Sequence, residues 1–297
     1  MSRLGIVGAG SFIGVAVEAH LQAERPGAFE ITHIETRDGA WRGTDFSCYD
    51  SLFYVAGVVP WALDRKGLGI SSEADEQTYL NAVNADLTYQ IAKKAKADGV
   101  SHVAFLSTSD VYAKRDSADP RCVVDMRTEP EPQSTYGKSK LKAEGMLREL
   151  ESTDFSVAVL RLPMVYGPNC TKGSFASLVK LCAKVPTFPN VSNARSTLFT
   201  GNLAELAALL ALSKASGTYL PQDPAWASTS ELVRLICAAQ GKRVRLVGGL
   251  SGLCSFMARH NETARKVFGN FRYDHDASGE ELGYQRFNLE EAIELSL

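Results

Sequence analysis

The segment GAGSFIG at positions 8–14 stands between a β-branched run and a helical pattern, and a glycine-rich turn at such a junction is compatible with few folds. Residues 3–7 read as a strand, 14–23 as a helix and 30–35 as a second strand. Glycine lets the backbone turn tightly and approach a pyrophosphate, while the free N–H groups and dipole of the helix N-terminus attract its charge. Glu35 closes the second strand about 20 residues past Gly14, the spacing of a dinucleotide-binding βαβ unit. The plainer reading is a turn that only packs helix on sheet.

The pattern continues beyond this unit. SLFYVAGVV at 51–59 lacks alternation, as expected of a strand buried on both faces. A helix is predicted over 75–98 and stops at Gly99, a strand over 103–107, a helix over 136–150 and a strand over 157–162. Together these predict an α/β fold with a Rossmann-type doubly wound parallel sheet. After Pro163 the texture changes: Pro168, Pro186, Pro189, Pro221 and Pro224 interrupt short elements, and helices at 202–214 and 229–240 follow no βα rhythm. The expected organisation is a dinucleotide-binding domain over 1–163, with a return segment around 198–214, and a smaller C-terminal substrate lobe over 164–297.

Composition narrows the function classes. The 297 residues carry 32 Lys+Arg against 34 Asp+Glu, and this near-neutral, interspersed charge offers no field for a polyphosphate backbone, which argues against nucleic-acid binding. No apolar stretch reaches the ~18 residues of a membrane span, and the N-terminus lacks the apolar core of a signal peptide. Cysteines at 48, 122, 170, 182, 237 and 254 show neither Cys-x-x-Cys spacing nor a histidine at metal-ligand intervals. The expectation is free thiols in a reducing cytoplasm and no metal site. Residues 246–258 are uncharged and flanked by Arg243, Arg245, Arg259, Arg265 and Lys266. That is the pattern of a packed lobe helix with a solvated basic rim, and also one that could touch an anionic membrane surface.

Candidate chemistry follows from position. Glu35 can accept both ribose hydroxyls of an adenosine, which favours NAD, whereas Arg37 could pair with the 2′-phosphate of NADP. In YGKSK, Tyr136 and Lys140 fall one helical turn apart on one face. Only ~0.1% of a free phenol is ionised at neutral pH, and a neighbouring ammonium together with an oxidised nicotinamide can raise that fraction. LSTSDVY at 106–112 puts Thr108 at the carboxyl edge of the sheet, where a hydroxyl can bond a reacting oxygen. Ala56, Gly57 and Val58 are small enough to let a flat cofactor lie against the backbone. The plainer readings are a solvated helix face for Tyr136 and Lys140, and capping or turn bonding for Thr108 and Ser109.

These residues resemble a family, the extended short-chain dehydrogenase/reductases and within them the NAD-dependent sugar epimerase/dehydratase group. GAGSFIG resembles the family's glycine turn, with Ser11 in place of the middle glycine; DSLFYVAG, NADLTYQIAKKAKADGV, LSTSDVYA, YGKSKLKAE and LRLPMVYGP follow in the family's order. The resemblance implies that Gly8, Ser11, Phe12, Ile13, Gly14, Glu35, Arg37, Ala56, Gly57, Asn84 and Pro163 hold the cofactor. It makes Tyr136 the acid/base, Lys140 its partner and nicotinamide-ribose ligand, and Thr108 the hydroxyl on the substrate oxygen. Val58, Thr108, Ser109, Tyr136 and Arg195 would contact substrate, with Arg195 on a sugar nucleotide's diphosphate; the alternative for Arg195 is a surface salt bridge.

The implied activity is NAD-dependent epimerisation of a nucleotide sugar, most like that of UDP-glucose or UDP-N-acetylglucosamine 4-epimerases, by transient hydride transfer at C4 in surface polysaccharide synthesis. The alternatives are an NAD(P)H-dependent reductase of a nucleotide- or lipid-linked 4-keto sugar, and a cofactor-sensing protein without catalysis. Besides Ser11, three sites depart from the family pattern. Met164 replaces an Asn of the diphosphate region, Ser109-Asp110 replaces the Asp-Glu of the 4,6-dehydratases, and Thr200-Gly201-Asn202 replaces Val-Asp-Asp. The resemblance also implies a homodimer through the helices at 77–97 and 136–150, for which Leu80, Val83, Leu87 and Ile91 form a compatible face.

Overall fold

The computed structural model describes residues 1–112 and 123–297, so Cys122 lies outside the described residues. In chain order the helices are α1 (Phe12–Glu24), α2 (Glu73–Asn81), α3 (Leu87–Ala97), α4 (Thr135–Arg148), α5 (Gly173–Cys182), α6 (Thr200–Ser213), α7 (Thr229–Ala239), α8 (Ser251–His260), α9 (Glu262–Phe268) and α10 (Leu289–Leu295). Among the described residues the chain forms two compact units, one built from 1–112, 129–162 and 204–219, the other from 123–128, 163–203 and 220–297.

The first unit is organised by a sheet of β1 (Ser2–Val7), β2 (Phe29–Ile34), β3 (Ser51–Tyr54), β4 (His102–Thr108), β5 (Ser156–Leu162) and β6 (Gly217–Tyr219). The order is β6-β5-β4-β3-β1-β2 and every pairing is parallel. This is the expected doubly wound α/β fold. Its strand order reverses between β1 and β3, so a crevice opens at their carboxyl ends. All four residues of β3 are buried, and Tyr54, Phe105, Val157 and Val159 share a core with Ile91 and Ala95 of α3 and Ala143 and Leu147 of α4.

Three local departures have physical causes. The third strand ends at Tyr54 rather than continuing to Val59, because the N–H groups of Val55 and Ala56 both donate to the Val7 carbonyl, at 3.0 and 2.9 Å, and turn the chain off the ladder. The helix predicted over 75–98 is two helices joined by a π-helical turn at Ala82–Asp86. Ser72 starts it with a capping box to Asp75. The edge strand β6 has no counterpart in the sequence pattern; it is three residues long and opens on Gly217 at φ +117°. It follows α6, whose buried Glu205 is bonded by His20 at 3.0 Å and by Arg25 at 2.6 Å.

In the second unit short parallel pairs join Met164–Tyr166 to Thr197–Phe199, Thr187–Pro189 to Arg245–Val247, and Val123–Val124 to Arg272–Tyr273. Tyr166, Phe175, Phe199, Leu232, Ile236 and Ile293 pack its core. Asn202 explains one departure from the family pattern: its Nδ2 donates to Asp223 Oδ1 at 2.8 Å, and its Oδ1 accepts from the N–H groups of Arg286 and Phe287. Cys48, Cys170, Cys182, Cys237 and Cys254 are free thiols.

Residues 246–258 form the end of the strand Arg245–Val247 and most of helix α8, which packs through one seam. The helix buries Cys254 and Ala258 and exposes Leu253, Phe256 and Met257. Of the face set out for a dimer, Leu80 and Ile91 are buried inside the first unit, and Val83 and Leu87 are half-buried. No described helix is long and apolar enough to cross a membrane.

Candidate active site

The glycine turn ends β1 and starts α1. Gly8 has φ +118°, and a Cβ there would lie 2.9 Å from the Ala56 nitrogen, so the close approach of the β1 and β3 ends requires glycine. A Cβ on Gly14 would meet Ser11 Oγ at 2.7 Å and Ile6 Cγ2 at 2.9 Å. Ser11 has extended backbone, φ −69° and ψ 142°, and its Oγ accepts from the Gly14 N–H at 3.1 Å. It is the N-cap of α1, which accounts for a serine where the family has glycine. The first-turn N–H groups of Phe12 and Ile13 have no partner within the helix. Beside them, the Cβ direction of Gly10 meets no atom within 4 Å. The result is an anion cradle of backbone N–H groups at the positive end of a helix.

Glu35 follows β2 and closes on Arg37. Arg37 Nη2 donates to Oε2 at 2.7 Å and Nε to Oε1 at 3.1 Å, while the backbone N–H groups of Thr36 and Arg37 donate to Oε1. These bonds hold the Glu35 carboxyl at about 2, well below the usual carboxylate range. The two residues weighed against each other for cofactor choice therefore form one ion pair.

Asn84, in the π-helical turn, clamps the segment after β3. Its Oδ1 accepts from the Val58 N–H at 2.7 Å, and its Nδ2 donates to the Val58 carbonyl at 3.0 Å and to Ser139 Oγ at 3.1 Å. Ser139 Oγ in turn donates to the Tyr136 carbonyl at 2.8 Å. A Cβ on Gly57 would stand 3.2 Å from both Asn84 Oδ1 and Lys140 Nζ. Glycine thus leaves an exposed strip of backbone beside the lysine, next to half-buried Ala56.

Tyr136 and Lys140 lie on α4, capped by Ser134 through the Gly137 N–H. A Cβ on Gly137 would fall 2.7 Å from the Asp110 carbonyl, so the first turn of α4 packs directly on the turn Ser109–Tyr112 that follows β4. Thr108 ends β4, and its Oγ1 accepts from the Asp110 N–H at 3.2 Å, which leaves the hydroxyl proton available. Lys140 is buried; its Nζ donates to the Leu106 carbonyl at 2.9 Å and lies 4.6 Å from the Phe105 ring centroid. Burial pulls the ammonium down to about 8, against the opposing charge of Glu144.

The half-buried Tyr136 makes no hydrogen bond from its hydroxyl among the described residues. Its phenol is raised above its ordinary value by burial and by the Asp110 carboxylate. In the chain itself the Lys140 ammonium is directed to the Leu106 carbonyl.

One buried network beneath these residues was absent from the sequence reading. Glu144, one turn beyond Lys140, receives Arg161 Nη2 at 2.6 Å and Nε at 3.1 Å, and Ser107 Oγ donates to it as well. Arg161 also donates to the Tyr112 hydroxyl. The only sequence signal is the i, i+4 spacing that puts Glu144 on the same buried face as Lys140.

In the second unit, Arg195 is bonded through its backbone to Ala227 and through Nη1 to the Gly269 carbonyl at 3.0 Å. It has no acidic partner among the described residues, and burial pulls its guanidinium down to about 10. The surface salt bridge considered for it is therefore absent. Pro163 follows β5. Met164 pairs in register with Thr197 and packs half-buried on the apolar core, so an Asn in its place would face carbon.

The family model described as "NAD dependent epimerase/dehydratase family" matches residues 6–219. The chain belongs to that family. A UDP-glucose 4-epimerase of Vibrio cholerae is 31% identical to this epimerase/dehydratase family member over 176 residues, 57% of this chain and 53% of the relative, so the match spans about half of that relative's length. Among solved structures, RMD from Pseudomonas aeruginosa complexed with NADPH matches at TM-score 0.75 and 18% identity, over 99% of this chain and 96% of that one. UDP-N-acetylglucosamine 4-epimerase from Bacillus cereus matches at TM-score 0.72 and 15% identity, over 99% and 97%. A dTDP-4-dehydrorhamnose reductase from Clostridium acetobutylicum matches at 0.70 and 16%, over 99% of each chain. At these identities the likeness is one of fold.

Proposed function

We propose that this family member is an NAD-dependent epimerase of a nucleotide-activated sugar, acting by transient hydride transfer at C4 in surface polysaccharide synthesis. The observation that carries the reading is the Tyr136 hydroxyl. It is half-buried, without a protein hydrogen bond among the described residues, and one helical turn from a buried ammonium. A hydroxyl in that position is open to a reacting oxygen of a bound sugar. The relative from Vibrio cholerae supports the same reaction class.

The residues fit a dinucleotide. Gly8, Gly10 and the N–H groups of Phe12 and Ile13 form a cradle for a pyrophosphate, Glu35 lies at the strand end for an adenosine ribose, and the exposed Gly57 backbone is open to a flat ring. NAD, when bound, supplies the hydride acceptor and a positive charge. With the positive charges of Lys140 and the nicotinamide beside it, the Tyr136 phenol would first give up its own proton to solvent, and its phenolate Oη would then take the proton of the sugar 4-hydroxyl and later return it. Thr108 donates its free hydroxyl proton to the same oxygen, and Lys140 supplies a fixed cation for the nicotinamide ribose. Arg195, a cation with no acid beside it, is suited to a diphosphate.

A second reading, an NAD(P)H-dependent reductase of a 4-keto sugar, has its own support in the Glu35–Arg37 ion pair, which neutralises the carboxylate that would repel a 2′-phosphate. The deciding experiment is interconversion of UDP-Glc, UDP-Gal, UDP-GlcNAc and UDP-GalNAc by the purified chain with NAD, with Tyr136→Phe as control. Interconversion lost in the variant supports the epimerase. No conversion of any of them, with NADPH oxidation on a 4-keto sugar, supports the reductase and overturns the first reading.

A further inference from the structure

The exposed apolar residues of this protein are unevenly distributed. Of fifteen large exposed ones among the described residues, five fall within residues 247–257: Val247, Leu250, Leu253, Phe256 and Met257. Single exposed apolar side chains are ordinary on a soluble surface, but a contiguous group is not. Helical geometry makes the last four contiguous. Leu253, Phe256 and Met257 stand at i, i+3 and i+4, with Leu250 one turn before Leu253. They are 58%, 61% and 44% exposed, and the buried seam of α8 consists of Cys254 and Ala258 on another face. His260 stacks on Phe256 with ring centroids 4.6 Å apart.

Charge identifies what such a face meets. Residues 242–266 contain six Lys and Arg against one acidic residue, Glu262. Arg243, Arg245, Arg259 and Arg265 are exposed, and none has an acidic partner among the described residues. Arg245 and Val247, two apart on one strand, point to the same side. Arg259 lies three residues beyond Phe256 on α8. Elsewhere the chain pairs arginines freely, as in Arg3–Asp50, Arg25–Glu205 and Arg65–Glu76. An apolar helix face bordered by unpaired guanidinium groups is complementary to acyl chains beneath anionic headgroups.

We propose that α8 and the strand preceding it form a peripheral docking surface for an anionic lipid bilayer. The helix lies in the interface with Leu253, Phe256 and Met257 below the headgroups and the arginines at headgroup level. Attachment of this kind is reversible, because the apolar area is small and the electrostatic part is screened by salt.

The test is sedimentation of the full chain with phosphatidylcholine vesicles and with vesicles of 70% phosphatidylcholine and 30% phosphatidylglycerol, at low and high salt. The expected result is binding to the anionic vesicles only, at least about tenfold above neutral ones, lost at roughly 0.5 M NaCl. Leu253→Ser with Phe256→Ser lowers the partition coefficient by at least about tenfold. Each Arg→Gln change among Arg243, Arg245 and Arg259 lowers it about fivefold. Unchanged thermal melting confirms that the variants fold. The proposal is overturned by absence of binding at low salt, by binding that the double serine variant retains, or by a concentration-dependent dimer that this variant abolishes, which would assign the face to a second copy of the chain.

Discussion

Arg161 and Glu144 form a buried ion pair that ties β5 to α4, Nη2 to Oε2 at 2.6 Å, one helical turn beyond Lys140. Breaking such a pair leaves a charge without its partner. Glu144→Gln is expected to destabilise the fold by about 3–5 kcal/mol, whereas Glu144→Leu combined with Arg161→Met costs less because neither member of the pair is left buried without the other. Urea unfolding of the single and double variants measures the difference. Equal losses in both would show that Glu144 contributes through packing and not through its charge.

Lys140 gives a prediction in pH. Its native value of about 8 lies below the ordinary lysine value, so at neutral pH the fold carries a buried cation that the unfolded chain would solvate. Between about pH 8 and 10.5 the native state releases its proton first, the unfolded state binds more protons, and stability rises with pH. Lys140→Met is therefore expected to be more stable than the parent at pH 7 by about 2 kcal/mol, with the gap closing by pH 10.5. Denaturant melts at both pH values test this. A variant less stable than the parent at pH 7 would mean that the bond to the Leu106 carbonyl outweighs the cost of burying the ammonium.

The two left-handed glycines of the first turn should respond differently to alanine. Gly10→Ala meets open space, and only the backbone term applies, about 1–2 kcal/mol. Gly8→Ala carries that term and also drives a methyl group to within 2.9 Å of the Ala56 backbone. Its total is about 3 kcal/mol or more. It is also expected to abolish NAD binding in a fluorescence titration, because the ends of β1 and β3 must separate. Similar melts for the two variants would refute the close-approach account.

Arg37→Ala releases Glu35 from its guanidinium, and the carboxyl rises from about 2 towards the ordinary carboxylate range, still ionised at neutral pH. The freed charge repels a 2′-phosphate but not a 2′-hydroxyl. NADP affinity is expected to fall about tenfold or more, with NAD affinity changing less than about threefold. Calorimetric titration with both cofactors gives the ratio, and an equal fall for both would remove Arg37 from the choice between them.

Arg195→Met removes a cation that burial already disfavours. The expectation is unchanged or higher thermal stability together with a UDP affinity at least about tenfold weaker. Retained UDP affinity would separate Arg195 from the diphosphate.

What could be read before folding depended on the range of the interaction. The β1-α1-β2 unit was readable because glycine, N-cap and strand-end carboxylate are neighbours in sequence, and the Tyr136–Lys140 pair because helix spacing is local. The π-helical turn was not, since the polar and apolar pattern runs through 75–98 unbroken; nor was β6, whose three residues carry no period. The pairing of Glu144 with Arg161, and the missing acid beside Arg195, depend on which residues meet after folding. The same limit explains the phenol: spacing places Lys140 one turn from Tyr136 but says nothing of Leu106, to which its ammonium is bonded.

The return of residues 204–219 to the first unit also has a consequence for biosynthesis. Translation delivers β5 before residues 163–216 and leaves its outer edge without a neighbour until β6 emerges. An unpaired edge is a template for association with other chains. A chain truncated near residue 163 would keep that edge permanently, and would also lack Glu205, the carboxylate that His20 and Arg25 share.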